Sequence, residues 1–170
     1  MENLLLKTLL EMISFFEDNN LDYVLAGGLA FSILTEPRST MDIDICCYIN
    51  ENQFEHIRNL LKNYFKDIYI HQKYMRFGKI KIWRLIVFTI KEIIVDLIII
   101  DEKHFLSVNK NKQKIKINNK DIYIISKEDL IILKMISGRP QDKIDIEKIE
   151  NKYADTINKN YIQEWLKIYN

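Results

Sequence analysis

The sequence predicts one α+β domain: a mixed twisted β-sheet flanked by helices, with a short C-terminal helical region. Three observations carry this. Apolar runs at 23–26 and 41–49, and the Ile-, Val-, Phe-, Tyr- and Trp-rich stretch 66–103, have the composition of strands. From Ser126 onward, apolar residues recur at three- and four-residue spacing, the period of helices. Strands first and helices last is the α+β order. The chain has 170 residues, 48% apolar and 29% charged, which suffices to bury a core and argues against disorder. We divide it into a core over 1–125 and a helical region over 126–170, packed together as a single compact unit.

Each element has its own signal. Leu5, Leu9, Met12, Ile13 and Phe16, widened by Leu6 and Leu10, make residues 3–18 an amphipathic helix. Asn19-Asn20 breaks it. A strand at 23–26 runs into the Gly27-Gly28 turn, and a helix covers Leu29 to about Leu34. Pro37 closes that region, because the residue before a proline avoids the α conformation. The polar loop 36–40 leads into a strand over 41–49. Strand alternation there sends Asp42 and Asp44 to one face and Met41, Ile43 and Ile45 to the other. Asn50 caps a helix through Phe54, Ile57, Leu60 and Leu61. Strands follow near 67–72, 80–90 and 93–100, with a break at Phe77-Gly78. A ribbon over 114–125 turns at Asn118-Asn119. Ser126 opens a helix, with Asp129 completing a capping box, and Gly138-Arg139-Pro140 ends it after Ser137. Further helices are expected near 141–151 and 161–169.

Composition narrows the classes of function. A net charge of +1 neither demands nor excludes a nucleic-acid partner. No apolar run reaches the roughly 18 residues of a membrane span, and the start MENLLLKTLLEM lacks a signal peptide's cleavage region. A cytoplasmic protein with no membrane partner is the expectation. Cys46 and Cys47 are adjacent and have no CxxC companion, so they read as strand residues, one facing in and one out, rather than zinc ligands. His56, His71 and His104 are scattered and read as solvated.

The chemistry concentrates between residues 23 and 45. Two carboxylates side by side on a core strand repel unless a cation lies between them, and hard oxygen donors suit Mg²⁺ or Mn²⁺. The glycine pair between strand and helix lets a ligand approach the backbone and leaves free N–H groups at a helix N-terminus, a seat for phosphate. A third acid, Asp96, lies within IIVDLIII, where an unpaired carboxylate would be costly. It is preferred over Asp101, which sits at the strand's end beside Glu102 and Lys103. Lys73, Arg76, Lys79, Lys81 and Arg84, interleaved with Tyr74, Phe77 and Trp83, suit single-stranded RNA or a tRNA end, and equally an exposed strand face.

Gly27-Gly28, Arg38-x-Thr40, Asp42-x-Asp44 and Asp96 together resemble the nucleotidyltransferase (polymerase β-like) superfamily. Lys134, followed by Gly138-Arg139-Pro140 and Asp142-x-x-Asp145, resembles the small bacterial members grouped with AbiEii-type toxins. The likeness spans about residues 21–149. The resemblance implies a nucleotidyltransferase fold and transfer of a nucleoside monophosphate from an NTP, ATP among them, to an acceptor hydroxyl, RNA such as tRNA or protein, with a cognate antitoxin as partner. It assigns Asp42, Asp44 and Asp96 to two Mg²⁺ ions (Mn²⁺ as substitute) and to catalysis. Gly27, Gly28, Arg38, Thr40 and Lys134 would bind the nucleotide. The lincosamide and aminoglycoside nucleotidyltransferases look similar around the same block, so an antibiotic hydroxyl is the alternative acceptor, and a non-catalytic binding module of this fold is the rival. The toxins are mostly longer, with a larger C-terminal acceptor domain than residues beyond 151 provide.

Overall fold

The computed structural model describes residues 4–169; Asn3, the expected start of the first helix, and Asn170 lie outside them. The chain runs α1 (Leu4–Asp18), β1 (Val24–Leu25), α2 (Gly27–Leu34), β2 (Ile43–Cys47), α3 (Phe54–Tyr64), β3 (Ile68–Ile70), β4 (Met75–Phe77), β5 (Ile80–Phe88) and β6 (Glu92–Ile99). Then come α4 (Glu102–Asn111), β7 (Gln113–Ile117), β8 (Lys120–Ile124), α5 (Lys127–Ser137), α6 (Pro140–Lys152) and α7 (Lys159–Tyr169). One sheet takes the order β3-β5-β6-β2-β1-β8-β7, with β4 also on β5. β2 is parallel to β6 and β1 is parallel to β8, while the remaining pairs are antiparallel. This is the expected α+β architecture, a mixed sheet flanked by seven helices among the described residues.

Local chemistry explains the boundaries. Asn20, with φ of 53°, turns the chain out of α1. Asn50 and Gln53 form a reciprocal capping box on a short 3₁₀ turn that leads into α3. Asn118 and Asn119 both take positive φ (47° and 64°), as a two-residue hairpin turn with matching twist requires. Ser126 accepts from the Asp129 backbone N–H at 3.1 Å, and Gly138 closes α5 in the left-handed conformation.

The structure departs from the sequence reading at several places. Residues 75–80 are a second hairpin rather than a break: β4 turns through Gly78 and pairs with the start of β5, on the same edge that β3 occupies farther along. α4 is a helix where no element was expected, between the strand near 93–100 and the ribbon over 114–125, with Asp101 accepting from the Lys103 N–H as its cap. Both Cys46 and Cys47 are fully buried, since both faces of β2 are covered, and burial pushes both thiols up. Met41 precedes β2 and is 80% exposed instead of packing with Ile43 and Ile45.

His104 is likewise buried rather than solvated. Its Nδ1 pairs with the Tyr169 hydroxyl at 2.6 Å, and its ring stacks on Trp165. Tyr161 donates to Asp129 at 2.7 Å and meets Ser107 at 2.8 Å. This polar cluster fastens α7 to α4 and α5.

Candidate active site

The sheet's register assembles the centre. Asp44 on β2 lies opposite Asp96 on β6, and Asp96 lies opposite Arg84 on β5. The three therefore form one row across adjacent strands, on the face shared by residues of one parity. Arg84 grips Asp96 with both arms, Nε to Oδ1 at 2.8 Å and Nη2 to Oδ2 at 2.7 Å. A bidentate pair of this kind is how a carboxylate survives in an apolar strand. The Asp96 hydrogen bond holds the Arg84 guanidinium above its ordinary range.

On the other side of Asp44 is the start of α2. The Ala26 N–H donates to the Asp44 carbonyl at 2.8 Å, and the Gly28 N–H faces the Asp44 carboxylate at 3.4 Å. Glycine is required twice. Gly27 has φ of +59°, and a Cβ there would stand 1.8 Å from Asp44 Oδ2. A Cβ on Gly28 would meet Thr40 Oγ1 at 2.7 Å and Arg38 Nη2 at 3.2 Å. Thus α2 opens at Gly27, two residues before the expected start, with its amide end against a carboxylate. Burial, then the charge of Asp96, pushes the Asp44 carboxyl up to about 6, and Asp42 adds to this.

Asp42 sits half-buried just ahead of β2 rather than within it. Among the described residues, no group of three or more acids, histidines or cysteines is gathered closely enough to hold a metal ion as the side chains stand. The carboxylates of Asp42, Asp44 and Asp96 are of the donor type a hard cation takes, and a cation beside Asp44 would relieve the repulsion that raises its carboxyl.

Basic groups ring the α2 end. Lys134 is buried on α5, bonded to Asp142 Oδ1 at 3.2 Å and Asp145 Oδ2 at 2.5 Å. Arg139 clamps Asp142 from outside, with Nε to Oδ2 at 2.8 Å. Although burial pushes the Asp142 carboxyl up, hydrogen bonds from Arg139 and Ser137 and the charge of Lys134 leave it below its usual range. Arg38 lies 3.5 Å from Asp145 and over the Phe31 ring, while Glu36 pairs with Lys148. The Arg38 Nε is buried with no hydrogen-bond partner, an unspent donor beside Gly28.

Two residues of the site make contacts that their segments do not announce. Arg139, part of the Gly138-Arg139-Pro140 motif, brings its charge to bear on Asp44. Arg84, read with the basic stretch that suits RNA or an exposed strand face, instead grips Asp96. Its signal lay in hairpin geometry: Arg84 and Asp96 are equidistant from Ile90 in the β5–β6 turn. Within the stretch 73–84 the aromatics divide, with Phe77 exposed and Tyr74 half-buried. Trp83 is buried with its N–H on the His71 carbonyl, and Arg76 and Lys81 both reach Glu51.

Solved structures with this fold include an antigenic nucleotidyltransferase-like protein from Paracoccidioides brasiliensis. It is 17% identical, with a TM-score of 0.58 over 98% of this chain and 88% of that one. A lincomycin-bound lincosamide antibiotic adenylyltransferase, LnuA, is 19% identical, with a TM-score of 0.53 over 85% and 95%. ANT(2″)-Ia in complex with adenylyl-2″-tobramycin is 12% identical, with a TM-score of 0.59 over 96% and 95%. No curated protein matches the chain. Residues 5–167 match the model of a family described as a nucleotidyltransferase of unknown function (DUF6036), and the chain belongs to that family.

Proposed function

We propose that this nucleotidyltransferase moves a nucleoside monophosphate from an NTP to an acceptor hydroxyl and releases pyrophosphate. The observation that carries the reading is the juxtaposition of Asp44 and Asp96 with the open amide end of α2. In this reading the NTP phosphates lie along Gly27 and Gly28, with Thr40 bracing the glycine and Arg38 and Arg139 facing the charge. Lys134 contributes positive potential from within its ion-pair cluster. Asp42, Asp44 and Asp96 would hold Mg²⁺, two ions with Mn²⁺ as substitute. Bound there, the metal supplies charge stabilisation to the phosphoryl group in flight. Asp96 takes the acceptor's proton as Arg84 keeps its carboxylate oriented.

The acceptor classes are RNA such as tRNA, a protein side chain, and an antibiotic hydroxyl. In an AbiEii-like setting the enzyme would act in the cytoplasm as a toxin–antitoxin component restrained by a partner protein. The antibiotic alternative is supported by two solved relatives of this fold that are adenylyltransferases of a lincosamide and of tobramycin.

The test offers each α-labelled NTP with Mg²⁺ to cellular RNA, to protein and to lincosamide or aminoglycoside substrates, with Asp44→Ala beside the wild type. Label that reaches one acceptor and disappears in the folded variant is expected, with a loss of at least about a hundredfold. A folded wild-type protein that neither binds NTP nor transfers label would leave the binding-module account.

A further inference from the structure

We infer that the acceptor is a small hydroxyl compound with an apolar body, held in a slot on the Asp96 side of the site. This rests on the nucleotidyl-transfer reading. A cavity of about 250 Å³ opens from Asp44 and Asp96 toward β4 and β5. Its floor follows from register. Beside the charged row Arg84–Asp96–Asp44 runs an apolar row, Met75–Ile82–Ile98, two residues along on the same face. Phe77 and Ile80 make the next row outward. Helix α5 supplies the roof with Leu130, Leu133 and Ile136.

Position assigns this slot to the acceptor. In an in-line displacement the attacking oxygen and the leaving group lie on opposite sides of the phosphorus. The leaving pyrophosphate belongs at the α2 amide end, beyond Asp44. The attacking hydroxyl therefore enters from the Asp96 side, and the sheet order β1-β2-β6-β5 puts the slot there.

Chemistry then selects the class. Apart from charged groups, Ser137 is the single polar side chain that lines the cavity. Of the acids that line the cavity, Asp96 is engaged by Arg84 and Asp142 by Lys134 and Arg139, while Asp44 stands at the inner end against the Gly28 N–H and away from the isoleucine floor. A polycationic aminoglycoside would bury ammonium groups against isoleucines and face Arg84, which is costly. The terminal nucleotide of an RNA would set ribose and phosphate oxygens against the isoleucine floor, which is costly as well. An aryl or alkyl body, by contrast, would cover Phe77 and Met75, now 47% and 40% exposed at the mouth, and methionine adapts to such shapes. Larger hollows of about 840 Å³ beside α7, about 550 Å³ along residues 154–160, about 540 Å³ under the β5–β6 turn and about 370 Å³ beside α1 contain no acid pair facing a phosphate seat.

The test uses p-cresol as the probe and NMR of ¹³C-methyl-labelled Met and Ile in the full chain. Saturable shifts at Met75, Ile82, Ile98 and Ile136 are expected. They should persist when ATP is bound, and Phe77→Ala should weaken p-cresol about fivefold, as loss of roughly 1 kcal/mol of apolar contact implies. Unmoved methyls would overturn the slot. Displacement of p-cresol by ATP but not by inorganic tripolyphosphate would overturn it too, giving the slot to the nucleobase. Tobramycin moving the same methyls at lower concentration would overturn the apolar class. A short tyrosine peptide binding more tightly than p-cresol would overturn the small-molecule assignment in favour of a protein side chain. Failure of the transfer reading shows separately, as Gly28 and Arg139 amides that tripolyphosphate leaves in place.

Discussion

At the scale of single residues, Asp44 holds a carboxyl whose ionisation costs stability. Its carboxyl, ordinarily at 3.8, is pushed up to about 6 by burial and by Asp96. A group that holds its proton more tightly when folded stabilises most below its unfolded value and loses that contribution as pH rises through the folded one. Between pH 4 and pH 7 this amounts to about 2 kcal/mol lost at Asp44. Asp44→Asn should therefore melt near the wild-type temperature at pH 4 and several degrees above it at pH 8, while losing transfer activity. A variant that melts lower than wild type at pH 8 would show that the carboxylate is stabilised by its surroundings instead. Sequence alone makes visible two carboxylates one residue apart and a glycine pair between strand and helix. It did not give the Arg84 grip on Asp96, because that contact depends on the alignment of two strands rather than on either segment.

At the scale of elements, the α5–α6 corner is an ion-pair core. Lys134 lies between Asp142 and Asp145, and all three are buried. Removing one partner of such a cluster strands the others without water. Lys134→Met should lower stability by about 3 kcal/mol, read as a shift of the urea midpoint, because Arg139 still serves Asp142 while Asp145 keeps only Arg38 and Gln141. No change in the midpoint would mean that the lysine contributes through phosphate alone. The elements with strong punctuation were legible: the Asn118-Asn119 hairpin, the Ser126 cap and the Gly138 stop all lie where side-chain chemistry forces a turn. α4 was not. Its buried face is only His104, Phe105 and Val108, too short a stripe to stand out after the apolar run of β6.

At the scale of the whole molecule, strand count and order were beyond composition, since pairing partners far apart in sequence are chosen by which faces get covered. The buried pair Cys46-Cys47 shows this: a strand sealed on both faces loses the alternation that would have announced it. The order also makes β1 unusual. It is two residues long, yet among the described residues it is the strand that joins the β2 side of the sheet to β8 and β7, through the register pair Leu25 and Ile124 and the Ile125 N–H on the Leu25 carbonyl. A sheet with so narrow a waist can part there without unravelling the hairpin of β5 and β6. Native-state hydrogen exchange should show β7 and β8 amides opening as their own unit, at lower free energy than β5 and β6. Because Gly27 follows β1 directly, the same opening would loosen the phosphate seat, and a bound NTP should slow exchange in β8, far from any nucleotide contact. Uniform protection across the sheet would mean that the helices, rather than the strand, hold the two halves together.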